Sequence, residues 1–397
     1  MYKELFKNKN FLFLSIGGFI SVIGDYMYNI ALTLTLYNTT HSIGSVALMW
    51  LSRAILRIPI QYLSGIIADK FNKKHIIILT NLISVFIATS FIFAKESLIW
   101  IAYLSAFLLQ SLNDIDETAE TGILPEIVSS DKLTEANSIF SLLHSISLFL
   151  SPALAGLIYK LWGANIIFIL DALTFLLASI LFYKIKYTFI KISTTEKNQG
   201  ILKSGLEGLK IITHYTEVKI MFIIVGLFGL IGRFYEVYKV AIADELLNIN
   251  AEGIIYFNYA FAIGGLLAPF LINTLSNYPK RKVFIIISIL ISIGYIIFGF
   301  TPYFLITFIT LTILGVLHTC QGIYSRLLIQ KSIPQEYTGR VFAFYKIILT
   351  FFAIIGLCIA PMLYATIGFE YAFLIISIIT IIICLLQLRR NAASNYY

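Results

Sequence analysis

Long apolar runs dominate the chain, and twelve of them approach the roughly 20 residues that a helix needs to cross a bilayer. They fall at 11–37, 43–66, 75–94, 97–119, 137–160, 163–186, 219–243, 253–275, 283–301, 303–328, 340–364 and 366–388. The first run follows Lys3, Lys7 and Lys9 and so looks superficially like a secretory leader. It exceeds the apolar core of such a leader, about 7–15 residues, and carries Asp25 at its centre, so it is read as a retained span.

The polar stretches between runs alternate sides of the membrane. One side holds the N-terminus, 67–75, 120–136, 187–218, 276–282, 329–339 and the C-terminus. With the adjoining span ends, that side carries 23 of the 29 Lys and Arg residues. Lys95 and Lys160 fall on the other side, and Arg53, Arg57, Arg233 and Lys239 fall within spans. This asymmetry is the positive-inside pattern and places both termini in the cytoplasm. The net charge of +8 is thereby explained as a topology signal, and no nucleic-acid partner is needed. Composition agrees: 59% of residues are hydrophobic and 13% charged, against about 25% charged in an ordinary soluble domain. Three cysteines inside apolar runs (Cys320, Cys358, Cys384) exclude a disulfide scaffold.

A constant offset of 209 carries Pro125 to Pro334, Pro152 to Pro361, Gly44 to Gly253 and Lys73 to Lys282. The span boundaries follow the same offset, which predicts two parallel six-span repeats, 1–186 and 219–397. The polar stretch 187–218 joins them. Its segment Gly205-Leu-Glu-Gly-Leu-Lys-Ile-Ile is amphipathic and is expected to lie along the cytoplasmic membrane surface.

The segment Gly65-Ile-Ile-Ala-Asp69-Lys70-Phe-Asn72-Lys73-Lys74 resembles the loop between the second and third helices of the major facilitator superfamily, Gly-x-x-x-Asp-Arg/Lys-x-Gly-Arg-Lys/Arg. Asn72 stands where the family has its second Gly, and Asn tolerates the left-handed conformation. Leu124-Pro125-Glu126, Glu135-Ala136-Asn137-Ser138, Ile333-Pro334 and Gly339-Arg340-Val341 are similar to the macrolide-efflux and enterobactin-exporter branch. The fourth span lacks the Arg of many drug–proton antiporters, and Ser151-Pro152-Ala-Leu-Ala-Gly156 matches their fifth-span signature in part. The resemblance implies an all-α membrane protein with twelve transmembrane helices in two pseudo-symmetric six-helix bundles around a central cavity. It also implies a monomer in the plasma membrane that exports a bulky amphipathic small molecule, macrolide-like or siderophore, by proton antiport and alternating access.

Charges in hydrocarbon cost about 2.5–3.5 kcal/mol each on insertion scales, so each needs a partner or a function. Asp25 lies near the middle of span one and Arg233 near the middle of span seven. Ile23-Gly24-Asp25 matches Ile231-Gly232-Arg233 at an offset of 208, one residue short of the repeat, and in the resembled fold both spans line the cavity. Glu236 and Lys239 continue a charged stripe from Arg233 at helical spacing, and Asn29 lies one turn from Asp25. Asp25 or Glu236 is expected to carry the proton; the alternative is a fixed ion pair joining the halves. Arg53 and Arg57 share a face of span two, and Arg57 reaches the depth of Asp114 in span four, whose cytoplasmic end also carries Asn113, Asp116, Glu117 and Glu120; mutual neutralisation is predicted, with an acidic vestibule for a cationic substrate as the alternative. Asp69 is the loop acid of the family motif, with Lys73 and Lys74 beside it and Arg340 as its expected latch partner. Tyr28, Tyr235, His318 and Gln321 are candidates for substrate contact. Asp171 in span six is expected to satisfy a neighbouring helix.

No phosphate-binding loop, His-Glu-x-x-His or Gly-x-Ser-x-Gly occurs, so neither ATP-driven transport nor an intramembrane enzyme is expected, and no cofactor or metal is implied. A lipid flippase on the same fold, passing headgroups by Arg53, Arg57 and Arg233, is the alternative function.

Overall fold

The computed structural model describes residues 2–93, 98–129, 132–187, 216–275, 278–332 and 335–394. Most of the stretch 187–218 lies outside them, as do the side chains of Asp69 and Arg340. Among the described residues every regular element is helical. The chain divides into two compact units, Met1–Lys197 and Asn198–Tyr397.

In the first unit, Asn8 begins the long helix α1 (Lys9–Thr40). Its Oδ1 accepts from the amides of Asn10 (3.0 Å) and Phe11 (3.3 Å), two donors that a helix start leaves without partners. Its Nδ2 donates to the Ile127 carbonyl at 2.8 Å, so one side chain both caps α1 and ties it to a second helix. Asn8→Ala is expected to cost about 1 kcal/mol from the cap alone, read as a lower melting temperature. At 1.5 Å per residue α1 is about 48 Å long, more than the roughly 30 Å hydrocarbon thickness.

Helices α2 (Ile43–Ala54) and α3 (Arg57–Lys70) occupy the single predicted span 43–66. The break at Ile55–Leu56 has a local cause: Pro59 lacks an N–H and its ring clashes with the carbonyl four residues back, that of Ile55. The unit continues with α4 (Lys73–Ser90), α5 (Trp100–Ile127), α6 (Leu133–Trp162) and α7 (Ala164–Tyr183). Asn72 starts α4 in extended backbone (φ −64°) and accepts from the amides of Lys74 and His75. Its role is a cap, and the left-handed conformation expected from the missing Gly is not used.

Helix α1 packs on α6 and α7, α4 lies between α5 and α7, and α2 and α3 pack on α5. A core of Phe11, Leu14, Ile77, Ala119, Ile123 and Phe182 gathers the starts of α1 and α4 with the ends of α5 and α7.

The second unit contains α8 (Thr216–Ala241), a π turn at Ile242–Leu246, α9 (Ile254–Leu275), α10 (Lys280–Phe300), α11 (Phe304–Ser332) and α12 (Gln335–Ser394). Helix α8 packs on α12, α9 on α11, and α10 on both α11 and α12. The long α12 is interrupted at Gly368, whose φ of 80° suits a residue without Cβ. Gly163 (φ 77°) plays the same part between α6 and α7.

Among the described residues, ten helical stretches are long and apolar enough to cross a membrane. The last of them, Phe344–Arg389, runs 46 residues through Gly368. Helix α5 is outside this set because Asp114, Asp116, Glu117 and Glu120 interrupt it. Large apolar side chains such as Phe86 and Phe270 (each 75% exposed) stand on the outside of their units, as they do where lipid is the solvent.

Candidate functional site

The polar residues inside the apolar helices are organised by α5. Gln110, Asn113, Asp114 and Thr118 recur every three or four residues and so share a stripe of that helix. Asn113 donates to Asp25 Oδ1 on α1 at 3.0 Å. Gln110 Oε1 accepts from Arg53 Nη2 (2.7 Å) and Nε (3.1 Å), and Gln110 Nε2 donates to Asp114 Oδ1 at 3.2 Å. Arg53 also donates to Asn29 Oδ1, and its guanidinium lies 5.1 Å from the Trp50 ring centre and 6.0 Å from that of Tyr28. Arg57 Nε stands 3.5 Å from Asp114 Oδ1, an ion contact longer than a hydrogen bond.

The predicted charged network therefore needs correction in two members. Arg57 meets Asp114, but Arg53 is held by the neutral amides of Asn29 and Gln110 and by aromatic faces. Glu117 is exposed and takes no part in the hydrogen-bonded chain running from Asn29 through Arg53 and Gln110 to Asp114.

Two further acids of the span-four cluster, Asp116 and Glu120, lie on the same helix. Asp116 Oδ1 accepts from Thr80 Oγ1 (2.6 Å) and Asn81 Nδ2 (3.0 Å) of α4. Glu120 Oε1 is buried without a hydrogen-bond partner among the described residues and faces Gly18 of α1. Thr80-Asn81 within the otherwise apolar α4 is the sequence signal for the polar seam at Asp116. Asp171 also departs from expectation. It is fully buried, its described side-chain hydrogen bond comes from Thr174 of its own helix at 3.5 Å, and its Oδ2 has no hydrogen-bond partner among the described residues.

In the second unit, Glu236 Oε2 accepts from Lys239 Nζ at 2.7 Å, and Lys239 also donates to Asn258 Oδ1 at 3.1 Å. Lys239 is buried and lies over the Tyr235 ring. Arg233 is half-buried one turn earlier on α8. His318 Nε2 bonds Tyr295 Oη at 2.9 Å, and Gln321 donates to Ser288 Oγ at 3.1 Å, so both link α11 to α10. Tyr235 stacks on Phe261, while Tyr28 of the first unit packs between Phe91 and Phe168; both rings are buried.

At the loop motif following α3, Lys73 Nζ pairs with Glu126 Oε1 at 2.8 Å, and Tyr187 donates to Glu126 Oε2. Burial, and then the Glu126 carboxylate, push the Tyr187 phenol above its ordinary value, so it keeps the proton it donates. Lys74 lies over the Tyr183 ring. A Cβ at Gly65 would meet nothing within 4 Å. The Asp69 and Arg340 side chains lie outside the described residues.

The family model described as Major Facilitator Superfamily matches residues 14–350 and 238–395. The chain belongs to the major facilitator superfamily. It is a multi-pass membrane protein of that family, with the family's all-helical fold. Relatives of this transporter include macrolide efflux protein A of Streptococcus pyogenes, 25% identical over 327 residues, covering 81% of this chain and 80% of that protein. A Bacillus subtilis protein named as a bacilysin exporter, BacE, is 24% identical and covers 90% and 87%. The staphyloferrin A transporter of Staphylococcus aureus is 22% identical, with 82% of each covered. The crystal structure of the nucleoside transporter NupG superposes with a TM-score of 0.74 at 15% identity, covering 96% of this chain and 98% of that one. The relatives thus include proteins named for efflux and for export.

Proposed function

We propose that this superfamily member is a secondary exporter of a bulky amphipathic small molecule, macrolide-like or siderophore, driven by proton antiport with alternating access. The reading takes twelve crossings, with α2–α3 as one and α12 as two, in six-span halves 1–186 and 219–397 joined by 187–218. Both termini are then cytoplasmic and the protein works as a monomer in the plasma membrane, without catalysis or cofactor.

The observation that carries the reading is Asp25, an acid in the middle of a long apolar helix whose one described hydrogen bond comes from the neutral Asn113. A carboxyl so held is able to change its proton without breaking an ion pair. Glu236, by contrast, is engaged by Lys239, which makes it the weaker proton carrier of the two. The family resemblance implies that Arg233 serves as the base for Asp25 and that Asp69 and Arg340 form a cytoplasmic latch, and this reading adopts both. The names of the relatives favour small-molecule export over lipid flipping.

Reconstitution in liposomes tests this, with erythromycin as probe. Each unit of pH difference is worth about 1.4 kcal/mol per proton, so about tenfold accumulation per unit is expected for one-for-one exchange. A protonophore should abolish it. Export indifferent to the gradient, or lipid scrambling without one, overturns the assignment.

A further inference from the structure

The second unit holds a narrow cleft that none of the proposed transport residues lines. Its volume is about 310 Å³, and it lies between α8, α10 and α11. Its walls include Ile224 of α8, Phe284 and Ile285 of α10 and Leu328 of α11, and Arg281 and Ser332 also line it. Arg281 is the second residue of α10, and Ser332 is the last of α11. Ile220, another lining residue, lies in the second turn of α8. The cleft is therefore at one end of the three helices, apolar inside and polar where the helices stop.

That end of the unit is basic. Lys280, Arg281 and Lys282 are consecutive, and no acid accompanies them in the first turn of α10. They stand at the positive end of the helix dipole, where added cations are disfavoured and an anion is favoured. Arg281 Nη2 donates to Gln387 Oε1 at 3.4 Å, which fixes the guanidinium where α10 meets α12. Lys282 is exposed. Under the positive-inside reading, this end of the helices lies at the cytoplasmic surface of the membrane. A cleft between helices that is apolar within and basic at its edge complements an anionic phospholipid, chain carbons inside and phosphate at the cations. Size argues against the transported molecule. Sites that enclose a whole drug-sized ligand hold about 300–1,000 Å³, so this cleft is too small for a bulky amphipath and large enough for part of one acyl chain.

We propose that this cleft binds an anionic phospholipid of the surrounding leaflet, with part of an acyl chain along Ile224, Ile285 and Leu328 and the phosphate at Arg281 and Lys282. The lipid is a resident ligand of the second unit and not its cargo. Bound there, it fills the space between three helices and offsets the cations at the start of α10. It stabilises the unit, because a ligand that binds only the folded form shifts the unfolding equilibrium. Selectivity follows from charge. A zwitterionic lipid of the same chain length can fill the slot, but it brings a cation of its own to the basic triplet. The inference does not depend on what the protein exports.

The test is native mass spectrometry of the purified, delipidated full-length protein, titrated with phosphatidylglycerol or with phosphatidylcholine of the same chains. The wild type is expected to retain one phosphatidylglycerol more tightly than any phosphatidylcholine, and to melt at a higher temperature with the former. Arg281→Gln combined with Lys282→Gln is expected to weaken that binding about thirtyfold, given how strongly each surface cation attracts an anionic lipid. Should the double variant not fold, judged by its melting profile, Lys282→Gln alone at its exposed position is expected to weaken binding about fivefold. Lys7→Gln combined with Lys9→Gln removes the same charge from the first unit and is expected to change nothing. Equal losses in the two double variants, or no loss at Arg281 and Lys282, overturn the site. The cleft itself is read by Ile220→Trp, which fills it while leaving the cations and is expected to release the tight lipid; retention at wild-type affinity overturns the chain site. If that variant does not fold, glycerol phosphate, a headgroup without chains, is added to the wild type instead. It is expected to leave the lipid bound, and displacement at equal concentration assigns the cations to a free anion and overturns the lipid.

Discussion

Asp25→Asn is expected to bind erythromycin measurably and to lose its uphill export. The substitution keeps the shape of the side chain and an oxygen to accept the Asn113 hydrogen bond, so the geometry around α1 and α5 is preserved. What it removes is the charge and the proton. Without them a pH gradient of one unit contributes none of its roughly 1.4 kcal/mol per proton, and the probe only equilibrates across the membrane. The measurement is the steady-state accumulation ratio in liposomes with an imposed gradient, beside equilibrium binding in detergent. Accumulation at the wild-type ratio removes Asp25 from the coupling; loss of binding together with transport makes it a structural or substrate-contacting residue instead.

The largest stability effect is expected at the crossing of α9 and α11. A Cβ on Gly315 would lie inside the van der Waals shell of the Phe261 carbonyl oxygen, and one on Gly264 inside that of the Thr312 carbonyl oxygen. The two glycines also face each other, Gly315 Cα standing 2.9 Å from the Cβ position of Gly264. Close approach of this kind is how helices associate in lipid, where the hydrophobic effect does not drive them together. Overpacking an ordinary core costs about 1–3 kcal/mol because side chains can shift. Here the obstacle is backbone on both helices. Gly315→Leu is therefore expected to abolish recovery of monodisperse protein, whereas Gly322→Leu on the same helix, whose Cβ position meets nothing within 4 Å, is expected to be recovered normally. Equal yields of the two variants remove the crossing as a determinant of stability. An accompanying collapse of the His318–Tyr295 and Gln321–Ser288 links would explain any loss of function in milder variants such as Gly315→Ala.

Much of this was legible before any coordinates. Helical class, family and the position of Asp25 follow from run length and motif, since a bilayer imposes one length scale on every span and tolerates few charges. The break of the second span between Arg53 and Arg57 was in principle readable from Pro59, but the long apolar run hid it. The exit of α5 through Pro125 to Ile127 was not readable, because five acids in 28 residues look like a helix end entering water. Burial against α4 and α1 outweighs that signal for Asp114, Asp116 and Glu120. For the same reason Asp171 was misjudged: a single acid in an apolar run predicts a polar neighbour, and sequence spacing says nothing about which helix will be adjacent.

The amino-acid sequence by itself determined which stretches are helical, which family they belong to, and which charges lie at membrane depth. These depend on local composition and on motifs of a few consecutive residues. The tertiary structure decided how those charges are shared out. It gave Arg53 to amides and Arg57 to Asp114, sent Lys73 to Glu126 and Glu236 to Lys239, and placed Asp171 against the backbone of α1 at Gly24. Partnership within the membrane depends on which helix faces are in contact, and that is set by close approach at residues such as Gly24, whose lack of a side chain reads in the sequence as nothing more than a small residue.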